Sequence, residues 1–304
     1  MKNLIIIIII GITLAIIYCD KDYVRDNTLV LIYTHEYGPK WSPEGNYILF
    51  YGSKFLTTTE SGNGNILGDY PWAIFAIDIE KMEPVPIYSS DKGDKYPNWY
   101  IGEDSIVFSS WKYVQASNYL YAYTLGDKEP YRLTETEGRI DENYPVYSPV
   151  SGEIAFSANF NGDFDIWKLK PGDEPGPLLS TTGYDTYPEW SPDGKELLFT
   201  SDCDGTWNIW KTDYNGGNII NLTDSEGNNL HSSWNAENNL IAFASDRSGN
   251  WDIWVMESDG SNAYQVTFDP SNETAPTWSP DGKKIAYQTD KYGTWDISII
   301  NLYD

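Results

Sequence analysis

Short apolar triplets recur along this chain, each closing on an aromatic ring. They are Ile48-Leu49-Phe50, Ile106-Val107-Phe108, Ile154-Ala155-Phe156, Leu197-Leu198-Phe199, Ile241-Ala242-Phe243 and Ile285-Ala286-Tyr287. Each reads as a short strand. A shorter strand precedes it and carries Pro-x-aromatic: Pro39-Lys40-Trp41, Pro97-Asn98-Trp99, Pro145-Val146-Tyr147, Pro188-Glu189-Trp190 and Pro276-Thr277-Trp278, with Ser232 replacing the proline in the fifth copy. Between the two lies a tight turn, Ser-Pro-Asp-Gly at 191–194 and 279–282 and Ser-Pro-Glu-Gly at 42–45. Proline presets φ in such a turn and glycine accepts a positive φ. Gly162, Gly205, Gly249 and Gly293 then reverse the chain into a third strand, such as Phe164 to Trp167 or Trp207 to Trp210. A fourth ends near Leu133-Thr134, Leu179-Ser180, Leu222-Thr223 and Val266-Thr267.

The leading aromatic falls at Trp41, Trp99, Tyr147, Trp190, Trp234 and Trp278, and the last three gaps are 43 to 44 residues. A period in the forties built from four short strands is one propeller blade per repeat. The pattern therefore predicts an all-β fold: a six-bladed β-propeller of four-stranded antiparallel blades over residues 28–304. The sixth repeat ends after its third strand. Thr28 to Thr34 has strong β character and is predicted to complete that last blade, closing the ring as a strap. The segment Ser53 to Asp69, rich in Gly, Thr, Ser and Asn, is expected to be a surface loop.

Ahead of the repeats, Lys2 is followed by a stretch without charge from Leu4 to Ile17. That is the length of a signal-peptide core and short of a membrane span. Cys19 stands where a bacterial lipoprotein signal carries its acylated cysteine, although Tyr18 occupies a position normally held by a small residue. Residues 1–19 are thus expected to be a signal peptide of lipoprotein type, with ordinary secretion or an uncleaved anchor as the alternatives, and residues 20–27 a linker. The chain is expected to be extracytoplasmic, periplasmic or at the cell surface, and to meet the membrane only through the lipid. The one other cysteine, Cys203, has no metal-ligand spacing to another.

A net charge of −25 argues against nucleic acid as a partner and fits a soluble extracytoplasmic domain with cationic partners, which is expected to be monomeric. Five residues before each leading aromatic stand Glu36, Asp94, Glu142, Asp185, Asn229 and Glu273. Two positions further on stand Gly38, Tyr96, Tyr144, Tyr187, His231 and Ala275. A ring places both sets around the mouth of the central channel. Clustered carboxylates with tyrosines suit a basic peptide segment or a cation. Alternatively, each carboxylate accepts backbone N–H bonds in its own loop. A second carboxylate set flanks the glycine turns: Asp163, Asp165, Asp202, Asp204, Asp246, Asp252, Asp290 and Asp296. These could hold Ca²⁺ or cap turns, and no segment matches the twelve-residue Ca²⁺ loop. Trp207, Trp251 and Trp295 beside them suit either sugar stacking or packing between blades. With His35 and His231 the only histidines, neither a catalytic triad nor a histidine metal site is supported, so no catalytic or metal-binding residue and no cofactor is assigned.

The repeated Pro-x-Trp-Ser-Pro-Asp-Gly, the Ile-x-Phe-x-Ser-Asp strand and the Asp-Ile-Trp motif resemble the TolB-type propeller repeat. The resemblance covers about nine-tenths of the expected mature chain. That family includes an envelope protein-binding component, propellers attached to prolyl-oligopeptidase and tricorn-type peptidases, and a pectin-fragment lyase. The small domain that precedes the propeller in the envelope protein has no counterpart here, and no Gly-x-Ser-x-Gly nucleophile elbow occurs. The resemblance implies a non-catalytic protein-binding or scaffold propeller of the bacterial envelope. The alternatives are a glycan-active or glycan-binding propeller, such as a metal-dependent polysaccharide lyase, and an accessory subunit of a separate peptidase.

Overall fold

The computed structural model describes residues 5–10, 13–18, 29–58, 66–69, 72–90, 93–112, 117–136, 138–224 and 227–302. Cys19 and the linker 20–27 lie outside them. Ile5–Ile10 and Thr13–Tyr18 pair antiparallel as a separate two-stranded sheet. No helix among the described residues is long and apolar enough to cross a membrane.

The remaining strands form six consecutive antiparallel sheets, each built in chain order. Blade two contains Asp94–Trp99, Ser105–Lys112, Ser117–Thr124 and Tyr131–Arg132, and blades three to five repeat this arrangement. The apolar triplets are the second strands. Phe50, Phe108, Phe156, Phe199 and Phe243 are fully buried, because each sheet is covered by a neighbouring blade on either face. The core is therefore a set of seams between blades. One seam joins Val107 and Leu120 of blade two to Ile154, Phe156 and Trp167 of blade three. The glycine of the Ser-Pro-Asp-Gly turn adopts the predicted left-handed backbone, with φ 68° at Gly194, and its N–H donates to Ser191 O at 2.9 Å.

Two expectations are corrected. Residues 29–34 do not complete blade six, which has three strands, Glu273–Trp278, Lys284–Thr289 and Asp296–Asn301. They are instead the beginning of blade one's inner strand, Leu29–Trp41, and pair with the outward extension of its neighbour, Leu29 opposite Thr58 and Tyr33 opposite Lys54. The reason is the absence of a link. A strap on the outer edge of blade six would need a loop to return to the channel, as 180–184 provides between blades three and four. Here the strand runs from Tyr33 into His35 with only a register shift. The ring closes by packing and a backbone bond: Trp41, Phe50 and Phe75 of blade one pack on Ala286 and Ile297 of blade six, and the Glu36 N–H donates to Trp295 O at 2.8 Å.

The second correction concerns Ser53 to Asp69. Tyr47–Thr58 runs as one strand through the first part of this segment, and Ile66–Asp69 folds back on it, pairing Asp69 with Phe55. Threonines and Phe55 suit a strand better than the segment's glycines suggested. Residues 59–65 lie outside the described residues.

Candidate binding site in the central channel

Every inner strand carries the same irregularity. Its register shifts where the residue three before the leading aromatic meets the following position: between Lys95 and Asn98, Asn143 and Val146, Thr186 and Glu189, Leu230 and Ser233, Thr274 and Thr277, and Tyr37 and Lys40. At each such bulge one residue takes a positive φ: 60° at Gly38, 53° at Tyr96, 55° at Tyr144, 51° at Tyr187, 54° at His231 and 51° at Ala275. Proline follows it in five blades, and lacking an N–H it withdraws no donor from the ladder. Non-glycine residues in this conformation are strained by roughly 1–3 kcal/mol each. Three tyrosines and a histidine held this way are aimed into the channel by the bulge itself.

They enclose a cavity of about 310 Å³ together with Tyr51, the prolines and Gln288. The rings touch in sequence. Centroids are 5.3 Å apart for Tyr51 and Tyr96, and 4.1 Å for Tyr96–Tyr144, Tyr144–Tyr187 and Tyr187–His231. The Tyr144 hydroxyl donates to the Tyr187 hydroxyl at 3.1 Å. Burial raises the phenol pKa of Tyr144, Tyr187 and Tyr51, so these groups remain neutral donors. Burial, with a smaller effect of Lys40, holds His231 down at about 4. Its imidazole is neutral near pH 7, and its buried Nδ1 has no hydrogen-bond partner among the described residues.

Tyr51 was not picked out from the sequence, although a size exchange marks it. The residue after each second-strand aromatic is Tyr51, Ser109, Ser157, Thr200, Ala244 or Gln288. It is large only in blades one and six, where the left-handed residue is Gly38 or Ala275. The Tyr51 ring covers Gly38 closely: a Cβ there would stand 3.1 Å from it. Lys40 and Glu189 were also missed. They belong to blades one and four and meet across the channel, Lys40 Nζ donating to Glu189 Oε2 at 2.9 Å.

The carboxylates expected at the channel mouth lie instead inside the seams. Asp94, Glu142 and Asp185 are fully buried and Glu273 nearly so, and none of them, nor Glu36, lines the cavity. Glu36 Oε2 accepts the Ile297 N–H of blade six at 3.2 Å. Glu142 accepts the Leu120 N–H at 3.1 Å and hydroxyls from Thr134 and Thr136. Asp94 is held by Ser90 and Ser110, Asp185 by Thr181, and Glu273 by Ser271. Burial raises the pKa of Glu142, Asp185 and Glu273, and that of Glu36 to about 7.

The second carboxylate set stitches loops between blades. Asp202 accepts the Tyr184 N–H, Asp246 the Asn228 N–H and Asp290 the Asn272 N–H, at 2.7, 2.7 and 2.8 Å. No three His, Cys, Asp or Glu side chains among the described residues are grouped to hold a metal ion. Above Tyr144 and Tyr187 a further groove of about 510 Å³ is lined by Phe164, Tyr184, Trp207 and Leu230.

Six blades around an aromatic-walled channel, with no attached domain in the described residues, define a TolB-like propeller. The sequence matches the TolB beta propeller domain over residues 63–245 and 179–304, and the chain belongs to that family. Among solved structures it is similar to a protein assigned as TolB from Agrobacterium tumefaciens, at 23% identity and TM-score 0.65, over 74% of this chain and 82% of that one. TolB from Acinetobacter baumannii matches at 20% identity and TM-score 0.64, over 89% of this chain but 60% of its own length. Oligogalacturonate lyase from Vibrio parahaemolyticus matches at 14% identity and TM-score 0.56, over 93% and 96%. Likenesses at this identity describe the fold alone. No curated protein sequence matches.

Proposed function

We propose that this chain is a non-catalytic, protein-binding propeller of the bacterial cell envelope. In this reading it is exported by residues 1–19, anchored through an acylated Cys19, and takes a segment of a partner protein at the channel. Tyr96, Tyr144, Tyr187 and His231 make the contacts, while Glu36, Asp94, Glu142, Asp185 and Glu273 hold the loops that position them.

The observation that carries the reading is the set of strained residues. Four bulky side chains occupy left-handed positions that cost energy in the fold, and all four point into one cavity. Tyrosine gives rigid contact area at little entropic cost, and His231 Nδ1 is a buried polar atom awaiting a partner. The charge of the cavity disfavours the lyase alternative. Its one cationic lining residue, Lys40, is already paired with Glu189, so an anionic sugar such as an oligogalacturonide would meet no free cation there.

The test is a photo-reactive phenylalanine at Tyr144 in the native cell, with the same residue at Tyr131, half-exposed on the outer rim, as control. Capture of one dominant protein at Tyr144 and not at Tyr131 is the expected result. Silence at both positions would overturn the reading. The mass of the recovered N-terminal peptide reports the lipid, and an unmodified Cys19 would remove the anchor.

A further inference from the structure

The residue before each third strand, where it is aromatic, has one fixed neighbour across the seam. Its carbonyl accepts an N–H from the next blade's inner strand: Trp72 O from Asp94, Phe164 O from Asp185 and Trp207 O from Asn229, at 2.8, 2.7 and 2.7 Å. The residue after that donor then lies beside the aromatic side chain. In blade two it is Lys95, and its ammonium sits over the Trp72 ring, 5.2 Å from the centroid. The corresponding residues beside Phe164 and Trp207 are Thr186 and Leu230. Among the described residues no lysine or arginine lies over Phe164, Tyr184 or Trp207, and none lines the groove they form.

No carboxylate among the described residues lines the groove itself, but three aspartates adjoin its aromatic residues. Asp163 precedes Phe164 and is exposed, Asp202 is tied to the Tyr184 backbone, and Asp204 precedes the turn into Trp207 and is exposed. Phe164 and Tyr184 both line the groove, their rings 6.4 Å apart at 38°. Aromatic rings on a protein of net charge −25 attract a cation through the ring quadrupole and the summed charge together. A neutral sugar would use the rings alone.

We propose that the groove between blades three and four is an aromatic box for a lysine or arginine side chain of the partner protein, filling from outside the place Lys95 fills within the chain over Trp72. The inference rests on the binding reading above and assigns the chemistry of one contact.

The probe is a fluorescent octapeptide of alternating arginine and serine, with a citrulline copy that keeps the shape and removes the charge. Binding of the arginine peptide to the full chain is measured by anisotropy at low salt and at about 0.3 M salt, where long-range attraction is screened. Trp207→Leu is expected to weaken it by about three- to thirtyfold at the higher salt. Thr186→Lys, which copies Lys95, is expected to abolish it, while the charge-matched Val150→Lys on the opposite face leaves it within about twofold. Equal binding of the citrulline peptide, or indifference to both Trp207→Leu and Thr186→Lys, would overturn the box. A partner captured at Tyr144 with no arginine binding leaves the binding reading intact and removes this inference. Arginine binding that meets these criteria with no partner captured does the reverse.

Discussion

Glu36 and His231 are both buried, and burial moves them in opposite ways. The Glu36 carboxyl is raised from 4.5 to about 7, and the His231 imidazole is lowered from 6.5 to about 4. Glu36 has its higher value in the fold. Its contribution is therefore fully present below about pH 4.5 and is lost as pH rises through about 7. His231 has its lower value in the fold, so its contribution is full above about 6.5 and is lost as pH falls toward 4. Between about pH 4.5 and 6.5 the two slopes oppose each other, and each variant should expose the other's slope. Relative to wild type, Glu36→Gln should lose roughly 2 kcal/mol of stability between about pH 7 and pH 5. His231→Gln should gain roughly the same over that interval. Urea denaturation at the two pH values checks both, and parallel profiles for the three proteins would refute the assignment. The glutamine in Glu36→Gln can still accept the Ile297 N–H, so lost hydrogen bonding should not mask the effect.

At the level of the strand, the seam between blades six and one depends on packing and on Glu36. Removing residues 1–34 takes away a segment whose described strands pair with each other, at 5–18, or with blade one's own extension, at 29–33. Thermal melting should stay cooperative and shift by only a few degrees. Ile297→Ala, which hollows the cluster with Trp41 and Phe50, should cost about 2–4 kcal/mol. A collapse on truncation with little effect of Ile297→Ala would restore the strap. Much of this architecture is legible in the sequence. An apolar triplet between turn residues has few other ways to be covered on both faces, and Ser-Pro-Asp-Gly dictates its turn. The tyrosine ring is legible as well, because counting back from Trp99, Tyr147 or Trp190 lands on the same bulge each time. What the sequence hides is direction. Glu142 reads alike whether it faces solvent or the Thr134 and Thr136 hydroxyls. Residues 28–34 have strand composition in either place, and only the missing link to His35 decides where they pair. Tyr51 becomes visible only when its size is set against Gly38 on the neighbouring strand.

Across the whole ring, one contact depends on all six blades at once. Lys40 and Glu189 belong to blades one and four, which face each other over the channel in a six-membered ring. Their 2.9 Å ion pair spans it, with side chains 28% and 19% exposed. With five or seven blades these two positions would not stand opposite, so the pair reports on closure as a whole. After burial, the lysine charge is the second influence lowering the His231 pKa. Lys40→Met would leave Glu189 without its cation in a mostly enclosed site. Given the remaining solvent access, the cost should be about 1–2 kcal/mol. Glu189→Met would strand the lysine beside His231 in the same way. The double variant removes both charges from a channel lined by tyrosine and proline, and should recover to within about 1 kcal/mol of wild type. A double-mutant cycle in urea measures the coupling. Additive single effects would mean that the pair adds nothing to ring closure, and the channel would then be held by its aromatic ring alone.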